Sequence, residues 1–222
     1  TSPPAGTGNV PGLGEAFTIN LSTGQGVYPY KLPLPDGVAG HTPRLAMEYA
    51  HGQGHSPFGF GWRLGVRAIA RRLDRGVPNE VSPERFTDSG AEIVPMVDGS
   101  YRALAETAFS RYTRIGQGHN LGWKIEDRNG VIHELGQSAD SRVADPVDPA
   151  RIHEWMIERT IDPSGNAITY RYTQDAGMTY LAEVRYAIYA VRLDYEPRPD
   201  ARSDARMGFV RHRALRCTRL AL

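Results

Sequence analysis

Short runs of period-two alternation, each cut off by turn residues, leave this chain few choices other than antiparallel sheet. Phe17, Ile19 and Leu21 alternate with Thr18 and Asn20, and a turn at Ser22 to Gly26 follows. Tyr28, Tyr30 and Leu32 repeat the pattern until Pro33, Pro35, Asp36 and Gly37 stop it, and Leu45, Met47 and Tyr49 make a third run. The alternation returns at Glu92 to Pro95, Tyr101 to Leu104, Trp123 to Glu126 and Val131 to Leu135. Trp155, Ile157 and Ile161 share one face, the turn Asp162 to Asn166 intervenes, and Ile168, Tyr170 and Tyr172 share another. Tyr180 to Tyr186 and Val191 to Tyr195 close the series. No long helical period competes, so the predicted fold class is all-β: an antiparallel meander of hairpins in which one face packs and the other meets water.

Four stretches carry sharper expectations. His55 to Leu64, HSPFGFGWRL, puts Phe58, Phe60 and Trp62 on one face if it is extended, which predicts a largely buried Trp62 as the packing centre. From Val66 to Arg75 two periods compete. Val66, Ile69, Ala70 and Leu73 fit a helical face, yet Gly65 and Gly76 crowd the ends and no N-cap residue is present, so strand is predicted. Asn129-Gly130 predicts a type I′ hairpin turn. Ser138 to Pro149, polar and with two Asp-Pro steps, predicts a loop. The domain itself is expected over 15–222, behind a flexible Pro/Gly-rich lead-in at 1–14.

Composition excludes more than it selects. The formal charge of +1 gives no bulk field toward nucleic acid or anionic membrane. Of the 26 basic residues only Lys31 and Lys124 are lysines, a bias that fits either genome composition or a need for planar, bidentate carboxylate partners. Cys217 stands alone, so no internal disulfide forms. No apolar run is long enough to span a membrane, and the first residues lack the parts of a signal peptide.

No residue is nominated as catalytic, cofactor-binding or metal-ligating. His51 and His55 have helical metal-ligand spacing, but Gly52 and Gly54 make that helix improbable. Ser89-Gly90 and Ser164-Gly165 lack a nucleophile elbow and read as turns. Glu84, Asp88 and Glu92, or Glu126 and Asp127, would serve sugar hydrolysis only at a separation in space that sequence does not give. The glycine-rich segments GTGNVPGLG and GQGHSPFGFG are not followed by the helix that phosphate binding needs. The arginines from Arg206 to Arg219 have only Phe209 interleaved, which argues for ion pairs with carboxylates of neighbouring strands or of the rest of a longer protein rather than nucleic acid.

Several separated segments together carry a family resemblance. GLGEAFTINLSTGQGVYPYKLPLP, TPRLAMEYAHGQGHSPFGFGWRL, FTDSGAE and DPSGNAITYRY follow one another from Pro11 onward, with Gly208 to Leu220 as a late anchor. In that order they resemble the N-terminal domain shared by SpvB-type virulence proteins and the B components of insecticidal toxin complexes. Asp162 to Tyr172 also resembles a single RHS or YD repeat. The resemblance implies a scaffold module of a secreted bacterial toxin, forming part of a β-rich shell around a toxic cargo. Its partners would be the rest of its own polypeptide, other toxin-complex subunits and the cargo, with no nucleic acid, membrane span or cofactor. Secretion is implied, with host or bacterial cytoplasm as further locations. In the virulence proteins an ADP-ribosyltransferase lies downstream of such a domain, and no segment of that kind is found here. The rival reading is a carbohydrate-binding or adhesive β domain, distinguished by whether Trp62, Trp123 and Trp155 face solvent. The apolar end at Leu220, Ala221 and Leu222 predicts that the domain is cut within a longer protein and that the isolated chain self-associates through its last strand.

Overall fold

A computed structural model describes residues 18–20, 25–52, 54–74, 76–77, 84–106 and 108–222. The lead-in at 1–14, the strand residues Phe17 and Leu21, and most of the Ser22 to Gly26 turn lie outside them. The described residues form strands and three 3-10 turns, so the all-β expectation is met. None of their helices is long and apolar enough to cross a membrane.

The chain divides into two compact units, one holding 44–65 with the residues before 34, the other holding 34–43 and 66–222. In the first, β1 (Thr18–Asn20), β2 (Gln25–Lys31), β3 (Ala46–Ala50) and a later strand pair in the order β1-β2-β3-β6. Between them β4 (His55–Ser56) and β5 (Gly59–Phe60) make a separate two-stranded hairpin before β6 (Trp62–Leu64) begins. Here the extended reading of HSPFGFGWRL fails. Gly59 and Gly61 take φ of 110° and 77°, which bends the chain twice and turns the three aromatics to different surroundings. Phe60 is exposed, and Trp62 is only half-buried, edge-on to Tyr28 and tilted against Tyr49 at 6.3 and 5.5 Å between ring centres. Trp62 is therefore not the packing centre of the protein.

The second unit contributes β7 (Ala68–Arg71), β8 (Phe86–Asp88), β9 (Ala91–Pro95), β10 (Tyr101–Ala103), β11 (Arg111–Ile115), β12 (Gly122–Glu126) and β13 (Ile132–Leu135). It continues with β14 (Arg142–Ala144), β15 (Ile152–Ile161), β16 (Ala167–Asp175), β17 (Met178–Tyr186), β18 (Tyr189–Asp204) and β19 (Arg211–Ala221). All are antiparallel and belong to one 13-stranded sheet. Long β15 is its junction. Along one edge it carries β7 and then β16, along the other β14 and then β13. Because β7 through β13 pair in succession and both ends meet β15, those eight strands close into a barrel. From the same strand β16 to β19 continue outward as a meander of hairpins.

An eight-stranded barrel is just wide enough for side chains to fill it. Ile69, Phe86, Ile93, Trp123, Ile125, Leu135 and Trp155 do so, each at most 2% exposed. Phe86, Tyr101, Trp123 and Trp155 meet edge-to-face with centroids 5.0 to 6.0 Å apart, the geometry that brings the positive rim of one ring to the face of another.

The Val66 to Arg75 stretch contains strand β7, as expected, because residues four apart share a face in a strand as well as on a helix. The Ser138 to Pro149 segment is not all loop: Arg142 to Ala144 pair with β15. Arg142 explains this. Its guanidinium is buried, donates to the carbonyls of Gly136 and Gln137 at 2.6 Å and to that of His119, and so pins a polar segment that shows no apolar period.

The Asn129-Gly130 hairpin forms, but with another turn. Gly130 donates to the Asp127 carbonyl, and Gly130 alone takes a positive φ, 77°, so this is a type I turn closed by a left-handed glycine rather than type I′. Asp127 Oδ1 selects it by accepting from the Asn129 and Val131 amides at 2.8 and 3.0 Å. Gly130→Val is expected to lower stability by about 1 to 2 kcal/mol, because a β-branched residue resists that φ. Thermal unfolding checks it, and an unchanged midpoint would mean the turn relaxes freely.

Candidate functional site

Both mouths of the barrel are plugged by arginine. Arg67, Ile69 and Arg71 have one parity, so the strand that buries Ile69 at mid-barrel carries a guanidinium toward each end. At one end Arg67 forks onto Asp88 through Nε at 3.1 Å and a second nitrogen at 2.6 Å, and Tyr112 donates its hydroxyl to the same carboxylate at 3.0 Å. Burial, and next the Asp88 charge, push the Tyr112 phenol up to about 12. His133 also lies at this end, and burial together with the Arg67 charge pushes its imidazole down to about 4.

At the other end Arg71 and Arg114 share Glu84 while lying over the aromatic core. Arg71 stands 5.5 and 5.4 Å from the Phe86 and Trp155 ring centres, and Arg114 stands 5.6 and 6.0 Å from those of Phe86 and Trp123. Burial opposes ionisation of Glu84, yet the two arginines hold its carboxyl below the usual range. Beside this mouth a cleft of about 280 Å³ is lined by Arg71, Glu84, Arg151, His153, Met207 and Phe209. Burial, then the Arg211 and Arg71 charges, push the His153 imidazole down to about 4.

Glu84, Asp88 and Glu92, the carboxylates singled out in the sequence, are not brought together as one free pair. Each is occupied by arginine: Glu84 as above, Asp88 by Arg67, and Glu92 by Arg85 at 2.6 Å and by Arg72. General acid and base chemistry needs two carboxyls pushed apart in pKa, whereas Glu84 and Glu92 are both held low. Glu126 pairs with Lys124 at 2.6 Å, and Asp127 is spent on its turn. Ser89 and Ser164 both sit in hairpin turns. His51 is exposed in a turn and His55 lies in β4, its ring 5.1 Å from that of Phe60. Among the described residues no three His, Cys, Asp or Glu side chains are grouped to hold a metal. In the C-terminal arginine run, Arg206 and Arg211 pair with Asp204 and Arg216 pairs with Glu196.

Two of these groups make stability depend on pH. His133 and His153 titrate near 4 when folded and near 6.5 when unfolded, so the unfolded chain binds protons first as pH falls. Their contribution is full above about pH 6.5 and lost on the way down to 4. Urea titrations from pH 7 to 4 are expected to show falling stability, less steeply in His153→Gln, and a flat profile would contradict the burial of both rings.

Comparison with known proteins gives the same fold. The structure of the N-terminal domain of the effector SpvB from Salmonella typhimurium strain LT2 superposes with a TM-score of 0.74, covering 86% of this chain and 85% of that one at 23% identity. A chain of the Photorhabdus luminescens Tc holotoxin pore matches 99% of this chain over 14% of its own length, with a TM-score of 0.82 and 24% identity. The TcdB2-TccC3 structure matches 99% of this chain and 14% of its own at a TM-score of 0.82 and 23% identity. In sequence, the mono(ADP-ribosyl)transferase SpvB of Salmonella typhimurium strain 14028s is 27% identical over 76% of this chain, and that of Salmonella choleraesuis 26%. The chain spans 36% of the length of these curated relatives. The family described as Salmonella virulence plasmid 65kDa B protein matches residues 22–107 and 96–192, a span that takes in β2, the whole barrel and the start of β18, and the chain belongs to that SpvB family.

Proposed function

We propose that this chain is a structural module of a secreted bacterial toxin, a wall segment of the β shell that encloses or presents a toxic cargo. Residues 15–222 would be the SpvB-like domain of a longer polypeptide, led in by 1–14. The reading is carried by one observation: nearly the whole chain superposes on a small fraction of a much longer toxin-complex chain. The filled barrel supports it, since a wall has to exclude solvent and carry load rather than hold a substrate. So do the carboxylates Asp88 and Glu84, each held by arginine at a mouth of the barrel. An ADP-ribosyltransferase activity, named for the Salmonella relatives, would then belong to another part of such a polypeptide. The sugar-binding rival loses two of its three tryptophan platforms, because Trp123 and Trp155 lie inside the barrel, while Trp62 is half-buried.

Protease challenge of the full polypeptide, with and without this module, tests the reading. The intact protein is expected to shield its cargo segment, and deletion of the module is expected to expose it. Equal protection in both would overturn the wall role.

A further inference from the structure

The cleft beside the Arg71 mouth continues into a second space of about 520 Å³, and the two share Arg71, Leu73, His153 and Met207. Its charge is not balanced. Glu84 faces both Arg71 and Arg114, and Asp204 faces both Arg206 and Arg211, so each carboxylate at the cleft answers two guanidinium groups. Arg151 is matched one to one by Asp145 at 2.8 Å. Beneath the cations the floor is apolar, formed where Leu73 packs on Val143, Met207 and Phe209. Two buried polar atoms here, His153 Nδ1 and Arg211 Nε, make no hydrogen bond to the protein. A buried polar atom without a partner costs free energy. Arg71 and Glu84 also plug the barrel mouth, whereas Arg206 and Arg211 have no part in that plug.

We infer that this cleft is a binding site for a short acidic peptide segment, one that brings carboxylates to Arg206, Arg211 and the His153 side while an adjoining aliphatic side chain rests on Met207 and Leu73. Charge complementarity selects the carboxylates, and the apolar floor selects a peptide over a bare oxyanion. A free phosphate would satisfy the arginines and leave the floor uncovered.

Isothermal titration of the 222-residue chain at pH 7 with the blocked peptide acetyl-Glu-Leu-Glu-amide tests this. Saturable binding is expected at about millimolar concentration or below, abolished when both glutamates are glutamine. Inorganic phosphate is expected to bind at least about tenfold more weakly. The Arg206 side chain is 83% exposed, so Arg206→Gln leaves the fold intact and should lower affinity about tenfold, the loss of one charge-assisted bond; with Arg211→Gln added, the drop should be larger still. Should Arg211→Gln disturb folding, Arg206→Gln alone is expected to weaken binding in the same direction. No saturation below about 10 mM, equal affinity in the folded variants, or phosphate binding as tightly as the peptide would each overturn the proposal.

Discussion

Trp155→Ala is expected to cost the fold about 3 to 5 kcal/mol, the range for truncating a large buried aromatic. Its indole is fully buried and meets Phe86 and Trp123 edge-on at 5.8 and 6.0 Å. It also donates from Nε1 to the Leu121 carbonyl at 2.7 Å, so alanine leaves both a cavity and an unpaired acceptor. Position adds to the effect. Trp155 lies on β15, the strand that closes the barrel and starts the outer meander, so a cavity there loosens both. Trp62→Ala, at a half-buried ring, is expected to cost only about 1 to 2 kcal/mol. Urea titration of the two variants reads the order directly, and a larger loss at Trp62 would return the packing centre to the aromatic segment.

Asp88→Ala should cost a similar amount, about 3 to 5 kcal/mol, because it leaves a charged partner in a desolvated site. The Asp88 side chain is 10% exposed and that of Arg67 25%, and Tyr112 loses its acceptor in the same step. Glu92→Ala provides the contrast. Glu92 also has two arginine partners, but in a more exposed cluster, so Glu92→Ala is expected to cost less than Asp88→Ala. Tyr112→Phe, which removes one buried hydrogen bond, should fall between them at about 1 to 1.5 kcal/mol. Denaturant midpoints at pH 7 check the series; equal losses for Asp88 and Glu92 would show that water reaches the Arg67 end of the barrel.

Those two aspartate and tryptophan sites show what could be read from sequence and what could not. The alternation of Trp123 to Glu126 and of Ile168 to Tyr172 marks strands because each has one wet and one dry face. Closure of the barrel leaves no such mark. It rests on Leu135 pairing with Ile157 and Trp155 with Ile69, contacts far apart in the chain that no local period records. Strand β11 was hidden for a similar reason: of Arg111 to Ile115 only Tyr112 is buried, so there is little alternation to see. The aromatic segment misleads because the shared parity of Phe58, Phe60 and Trp62 holds only for an extended chain, whereas the positive φ of Gly59 and Gly61 makes them its corners. The plugs at the mouths were in plain view as Arg67 and Arg71. Their spacing of four suited a helix as well, and only the dry Ile69 between them tells that the arginines point inward at the two ends of a barrel.

The wall role is tested most directly by an electron cryo-microscopy map of the full-length polypeptide. A wall segment is expected to appear at the resolution of its surroundings, with the outer edge of β19 paired to a neighbouring strand of the shell and the barrel embedded in the same wall. A barrel seen as a separate, blurred body on a flexible connection, with β19 unpaired and the shell closed without it, would contradict that role.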